Sequence, residues 1–389
     1  MDKRINLVSD TIGKSDIDSL VGWLSQDPTP RLTKGPLTPQ LEQKWANKIG
    51  TKYSVFVNSG SSAILLSLAA AIHTNRLKNN KIVVPGLSWA TDLSSPMILG
   101  MQPILCDCNL TDLSFDLDQL EEIFKREAIG SILLVSPLGF VPNMDEIVHL
   151  CKVYGVVIFE DICESMGSKY HGKYLGSFGF ASFFSLYFGH HLSTIEGGFI
   201  NTDDEDFYHA LVMMRSHGWD RDLPEPKKHQ LRTKYNISEF DSLYNFYLPG
   251  FNVRSTDLQA FLGLIQIDKL DDFSKKRNYN YHLYLNHIDV NEFKFKQDTI
   301  NFTSNFAYPI LSEYKQHIVA ALLKDGIEVR PLIAGDMSQK PVYYEKYGHK
   351  FLPNCSNIND HGFYIPNHQD LSVEDVLRIS RIINENGKD

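Results

Sequence analysis

Along the chain, short apolar runs alternate with segments whose apolar positions recur at helical spacing. Leu41, Trp45 and Ile49 fall on every fourth position within residues 38–50, which open on Thr38 and close on Gly50, so a helix is expected there. Tyr53 to Val57 reads as a strand that runs through the small polar cluster Asn58-Ser59-Gly60-Ser61-Ser62 into an apolar helix ending at His73. Further strands are expected over Ile82–Pro85, Pro103–Cys106, Ser131–Ser136 and Val156–Phe159, and helices over Asp116–Lys125 and Asn143–Tyr154. Strands separated by helices predict an α/β fold, a mostly parallel sheet covered on both faces.

After Gly179 the pattern changes. FASFFSLYFGHH and GGFINTDD read as two short extended pieces, and the polar stretch Asp220–Ser242 as a surface excursion. From Thr256 to about Leu285 the periodicity is helical and long enough to link two domains. Phe306–Ile310, Ile327–Ile333, a helix over Glu313–Lys324 and a last helix over Val373–Asn384 predict a small α+β domain. The division expected is therefore a large domain with an N-terminal arm over residues 1–255 and a linking helix plus small domain over 256–389. The sequence contains no internal repeat or heptad run, which argues against solenoid and fibrous architectures.

Composition narrows the function classes. The 38 basic and 47 acidic side chains leave a net charge of −9 over 389 residues, and Lys and Arg are not clustered, so neither nucleic acid nor an anionic membrane is an expected partner. Five cysteines, at 106, 108, 151, 163 and 355, are odd in number and widely spread, which fits a reducing compartment. With no apolar leader or spanning run in the sequence, a soluble cytoplasmic enzyme is expected.

Three places in the chain carry candidate chemistry. The junction Asn58 to Ala63 puts small residues where a strand becomes a helix; free N–H groups and the positive helix end favour a phosphate there, although an ordinary Ser/Gly cap has the same look. Glu160, Asp161 and Glu164 follow a buried strand, at the edge where parallel sheets bind ligands. His190 and His191 stand together in Ser185-Leu186-Tyr187-Phe188-Gly189-His190-His191, but adjacent residues point apart and no further ligand lies at metal spacing, so no metal is expected.

In this order the motifs resemble the sugar aminotransferases among the fold-type I pyridoxal-phosphate (PLP) enzymes. The likeness also takes in Leu32-Thr33-Lys34-Gly35-Pro36, Pro85-Gly86-Leu87-Ser88-Trp89, Gly250-Phe251-Asn252-Val253-Arg254 and Gly326-Ile327-Glu328-Val329-Arg330-Pro331. The resemblance implies that Gly60, Ser61 and Ser185 hold the cofactor phosphate, that Trp89 stacks on the pyridine ring, that Asp161 pairs with the ring nitrogen and that Glu164 lies near the 3-hydroxyl. It also implies a homodimer in which Asn252 reaches the phosphate in the neighbouring subunit.

One departure changes the expected reaction. Where the aminotransferases carry the lysine that binds the cofactor covalently, five residues after the serine matching Ser185, this chain has His190, and it has no lysine between Lys173 and Lys227. Imidazole forms no stable covalent link to the cofactor, but its ordinary pKa near 6.5 suits proton transfer. With that change the sequence resembles the PLP-dependent 3-dehydratases of nucleotide-linked 4-keto-6-deoxy sugars. One branch carries an iron–sulfur cluster, which needs closely spaced cysteines after the histidine; none occurs here between Cys163 and Cys355. The other acts on GDP-4-keto-6-deoxy-D-mannose in colitose biosynthesis, and the segments Arg215 to Leu223 and Arg330 to Gly335 are similar to it. The resemblance thus implies non-covalent PLP and its amino form, pyridoxamine phosphate (PMP), with L-glutamate regenerating PMP and His190 as the base. His217 is the candidate second polar group near the sugar, and Glu328 and Arg330 are candidates on the substrate side. A nucleotide-sugar aminotransferase, or a catalytically silent paralogue that binds PLP or a nucleotide sugar, are the rival readings.

Overall fold

The computed structural model describes residues 4–295 and 300–388. Seven strands form the main sheet: β1 Tyr53–Val57, β2 Lys81–Pro85, β3 Gln102–Cys106, β4 Ser131–Val135, β5 Val157–Asp161, β6 Ala181–Ser185 and β7 Gly198–Thr202, in the order β1-β7-β6-β5-β4-β2-β3. All neighbours are parallel except those of β7, which is antiparallel to both β1 and β6. Alternation splits the side chains between two cores: Val55, Val57, Leu133 and Ile200 on one face, Phe56, Ile132, Leu134 and Phe199 on the other. Burial on both faces is why these strands read as nearly continuous apolar runs.

The helices follow their sequence signals closely. Leu37–Ile49 ends on Gly50 at φ +90°, and its Trp45 is fully buried and stacked on Phe199 with centroids 4.9 Å apart. Leu117–Arg126 and Met144–Tyr154 start on Asp116 and Asn143, whose side chains accept from Gln119 and Glu146 N–H. The polar excursion contains a helix, Glu225–Tyr235, with no buried residue, which is why apolar periodicity did not reveal it.

A second sheet, β8 Ala307–Leu311, β9 Arg330–Pro331 and β10 Gly362–Pro366, is antiparallel in the order β8-β10-β9. The helix Leu270–His287 packs against the last helix, Val373–Asn386. The segment before the first helix, Lys14–Leu24, reaches this second unit: Ile5 pairs with Ile327, its N–H donating to the Gly326 carbonyl at 3.0 Å. Among the described residues no helix is long and apolar enough to cross a membrane.

Candidate active site

The carboxyl ends of β5 and β6, the start of the helix Gly60–His73 and the edge of the second sheet enclose a cavity of about 550 Å³. Of the residues singled out in the sequence, Gly60, Ser61, Trp89, Asp161, Glu164, Ser185, His190 and Arg330 line it.

At one corner Ser59 caps the helix, its Oγ accepting from Ser62 N–H at 3.1 Å. The first N–H groups of a helix have no intrahelical carbonyl to meet, so those of Gly60 and Ser61 are offered to the cavity. A Cβ on residue 60 would lie 2.9 Å from Ser185 Cβ and 3.0 Å from Cys163 Sγ, so only glycine lets this corner approach β6. Trp89, 54% exposed, borders the cavity from the start of the helix Ala90–Ile98.

Strand β5 runs two residues past the expected end, which makes Asp161 its last residue; the carboxylate accepts from Cys163 N–H at 2.9 Å. Glu160, one step back, faces away and accepts from Gly176, Phe178 and Gly179 N–H, a purely structural position. Glu164 accepts from Leu138 N–H at 3.0 Å, which requires Leu138 to sit at φ +51°. Burial pushes the Glu164 carboxyl up to about 7; the Leu138 N–H opposes this and the Asp161 charge reinforces it.

The two histidines separate. His191 is fully buried and its Nε2 lies 2.9 Å from the Ser304 carbonyl, whereas His190 borders the cavity. The His190 ring is held by a backbone hydrogen bond at Cys163, and its Nδ1 has no partner among the described residues. Burial lowers its pKa to about 4, against the Cys163 bond that favours the cation. The ring is thus neutral across a wider range than an ordinary histidine. Among the described residues that line the cavity there is no lysine.

Three expected site residues lie elsewhere. Glu328 accepts from Arg4 Nη2 at 2.8 Å and from Leu7 N–H at 3.0 Å, fixing the N-terminal segment whose Leu7 and Val8 close one side of the cavity. His217 is held at φ +63° with its N–H on the Phe251 carbonyl at 2.7 Å and its ring edge-on to Trp219. Asn252 is exposed beside it, across the Ser216–Asn252 bridge, its Oδ1 accepting from Arg254 Nε.

Tyr364 and Asp92 are among the cavity residues that were not anticipated. Tyr364 lies on β10, which the sequence did not reveal, and pairs in register with Arg330. Asp92 lies in the first turn after Trp89, where an acidic residue reads as a helix cap. It does accept from Trp89 N–H, but it also lines the cavity beside Asp161.

The chain is similar to known proteins over most of its length. A GDP-4-keto-6-deoxy-D-mannose 3-dehydratase of Escherichia coli O55:H7 is 32% identical over 348 residues, 87% of this chain and 89% of its own. A crystal structure of GDP-4-keto-6-deoxymannose-3-dehydratase, a histidine-to-asparagine variant with bound GDP-perosamine, superposes with a TM-score of 0.86 at 28% identity, covering 98% of this chain and all of the other. Another, with a trapped PLP–glutamate geminal diamine, gives 0.87 at 29%, covering 97% and 99%. Residues 14–384 match the family model, and the chain belongs to the DegT/DnrJ/EryC1/StrS aminotransferase family.

Proposed function

We propose that the chain is a PLP/PMP-dependent 3-dehydratase that removes the C3 hydroxyl of a nucleotide-linked 4-keto-6-deoxy sugar. The substrate is GDP-4-keto-6-deoxy-D-mannose, and L-glutamate regenerates PMP. The observation that carries this reading is a neutral histidine bordering a cavity that, among the described residues, no lysine lines. A cavity of this kind retains proton transfer without covalent capture of the cofactor.

The residues present fit the cofactor. The Gly60 and Ser61 N–H groups and the Ser185 hydroxyl form a neutral cradle for a phosphate, Trp89 offers an open indole face, and Asp161 offers a carboxylate to a ring nitrogen. Bound PLP supplies an electron sink, and PMP an amino group for the C4 ketone. The neutral His190 ring would take up the proton, and burial, which disfavours the cation, would drive its return. Glu164, with a carboxyl near 7, would meet the ring hydroxyl as donor or acceptor. Arg330 bonds its own Val329 carbonyl through Nη1, which leaves the rest of its guanidinium for a substrate phosphate or carboxylate.

Asn252 and His217 stand side by side outside their own cavity, which supports a homodimer in which they serve the partner's site. The division into residues 1–255 and 256–389, a cytoplasmic setting and a 3,6-dideoxy sugar such as colitose as the pathway product belong to the same reading.

The test is His190→Lys. Dehydration is expected to vanish while the cofactor becomes covalently attached, detected as a mass increase after borohydride reduction. Undiminished dehydration by this variant would sink the assignment.

A further inference from the structure

Asp92 is unexplained by the roles assigned so far. It lies on the helix Ala90–Ile98 and is fully buried. Its Oδ2 is used by the Trp89 N–H at 3.0 Å, and its Oδ1 has no donor among the described residues. Asp161, on a different element, comes within hydrogen-bonding reach of it. The Asp161 carboxylate already accepts from Cys163 N–H at Oδ1. Glu164 adds a third carboxyl, and the Cys163 thiol also lies against the pair, itself pushed well up by burial and by these acids. A second buried charge against Asp161 is strongly disfavoured, so Asp92 carries a proton. The deeper of the two, Asp92, keeps it: burial and the Asp161 charge hold its carboxyl well above the usual range. A helix cap explains Oδ2 and leaves Oδ1 without a reason to be there.

We propose that Asp92 is a positioning residue whose carboxyl donates a hydrogen bond to Asp161, orienting that carboxylate and moderating its charge toward the ring nitrogen of bound PLP. The cofactor half of this inference rests on the function proposed above; the carboxyl pair does not. Donation from Asp92 withdraws charge from Asp161, so the ring nitrogen loses its proton more readily than it would beside an unassisted carboxylate. An asparagine at this position preserves both contacts, its carbonyl on the Trp89 N–H and its amide on Asp161. An alanine removes both.

Two measurements test it. Infrared difference spectra of the cofactor-free protein against Asp92→Asn at neutral pH are expected to show a protonated-carboxyl C=O band that the variant lacks; no such band would overturn the pair. In the PLP-loaded protein, the pH midpoint of the cofactor absorbance is expected to rise by on the order of one unit in Asp92→Ala and to stay near wild type in Asp92→Asn. Equal midpoints in all three would overturn the positioning role even if the band is present. A protein that shows the band but binds no PLP would refute the proposed function and this role together, leaving only the pair.

Discussion

At the scale of single residues, the same burial acts in opposite directions on acids and bases around the cavity. Glu164 is raised from 4.5 to about 7, so the folded state binds more protons than the unfolded between those values. Its contribution to stability is present at low pH and lost as pH rises through about 7. His190 is lowered from 6.5 to about 4, so its contribution is present above 6.5 and lost as pH falls toward about 4. Urea unfolding of the cofactor-free protein separates the two. Glu164→Gln is expected to gain on wild type as pH rises from about 5 to about 8, by on the order of 1–3 kcal/mol; parallel pH dependences would contradict the raised carboxyl. His190 was legible in the sequence because its place after Ser185 is fixed by the motif. Its lowered pKa was not, since the protein that buries it comes from segments remote in sequence. Asp92 was missed for a similar reason: its neighbour Asp161 lies sixty-nine positions away, and only the sheet brings them together.

At the scale of elements, the phosphate corner depends on how closely a helix start can approach a strand. Gly60→Ala forces a methyl to within 2.9 Å of Ser185 Cβ, so either the helix or β6 must retreat. Such overpacking costs about 1–3 kcal/mol, and a fluorescence titration is expected to show PLP affinity weakened by roughly ten- to a hundred-fold. Unchanged affinity would remove Gly60 from the corner. The strands and helices with strong periodicity were legible almost to the residue, as β1 and the helix Leu37–Ile49 show. The short helix Ala90–Ile98 carries Pro96 in its interior and hides its period. The β10 strand is a stretch whose extended form comes from pairing with partners far along the chain rather than from local pattern.

For the whole molecule, the function proposed above has Asn252 serve the cavity of a second copy, so that a competent site would need two copies. The His190→Asn and Asn252→Ala proteins are each expected to be inactive or nearly so. Co-refolded, they are expected to recover activity, because a mixed dimer has one cavity with both residues intact. No recovery, with mixed dimers demonstrated by native mass spectrometry, would show that Asn252 serves its own chain or none. Net charge also makes sense at this scale: on the proposed function a protein at −9 would hold anionic ligands with backbone N–H groups, hydroxyls and the local Arg330 rather than with a basic surface. The account's central claim is the reaction itself, and product analysis tests it most directly. With GDP-4-keto-6-deoxy-D-mannose and glutamate, the protein is predicted to yield a sugar nucleotide lighter by one oxygen, with one 2-oxoglutarate and one ammonia per turnover; a 4-amino sugar formed without ammonia release, or no turnover of this substrate, would contradict it.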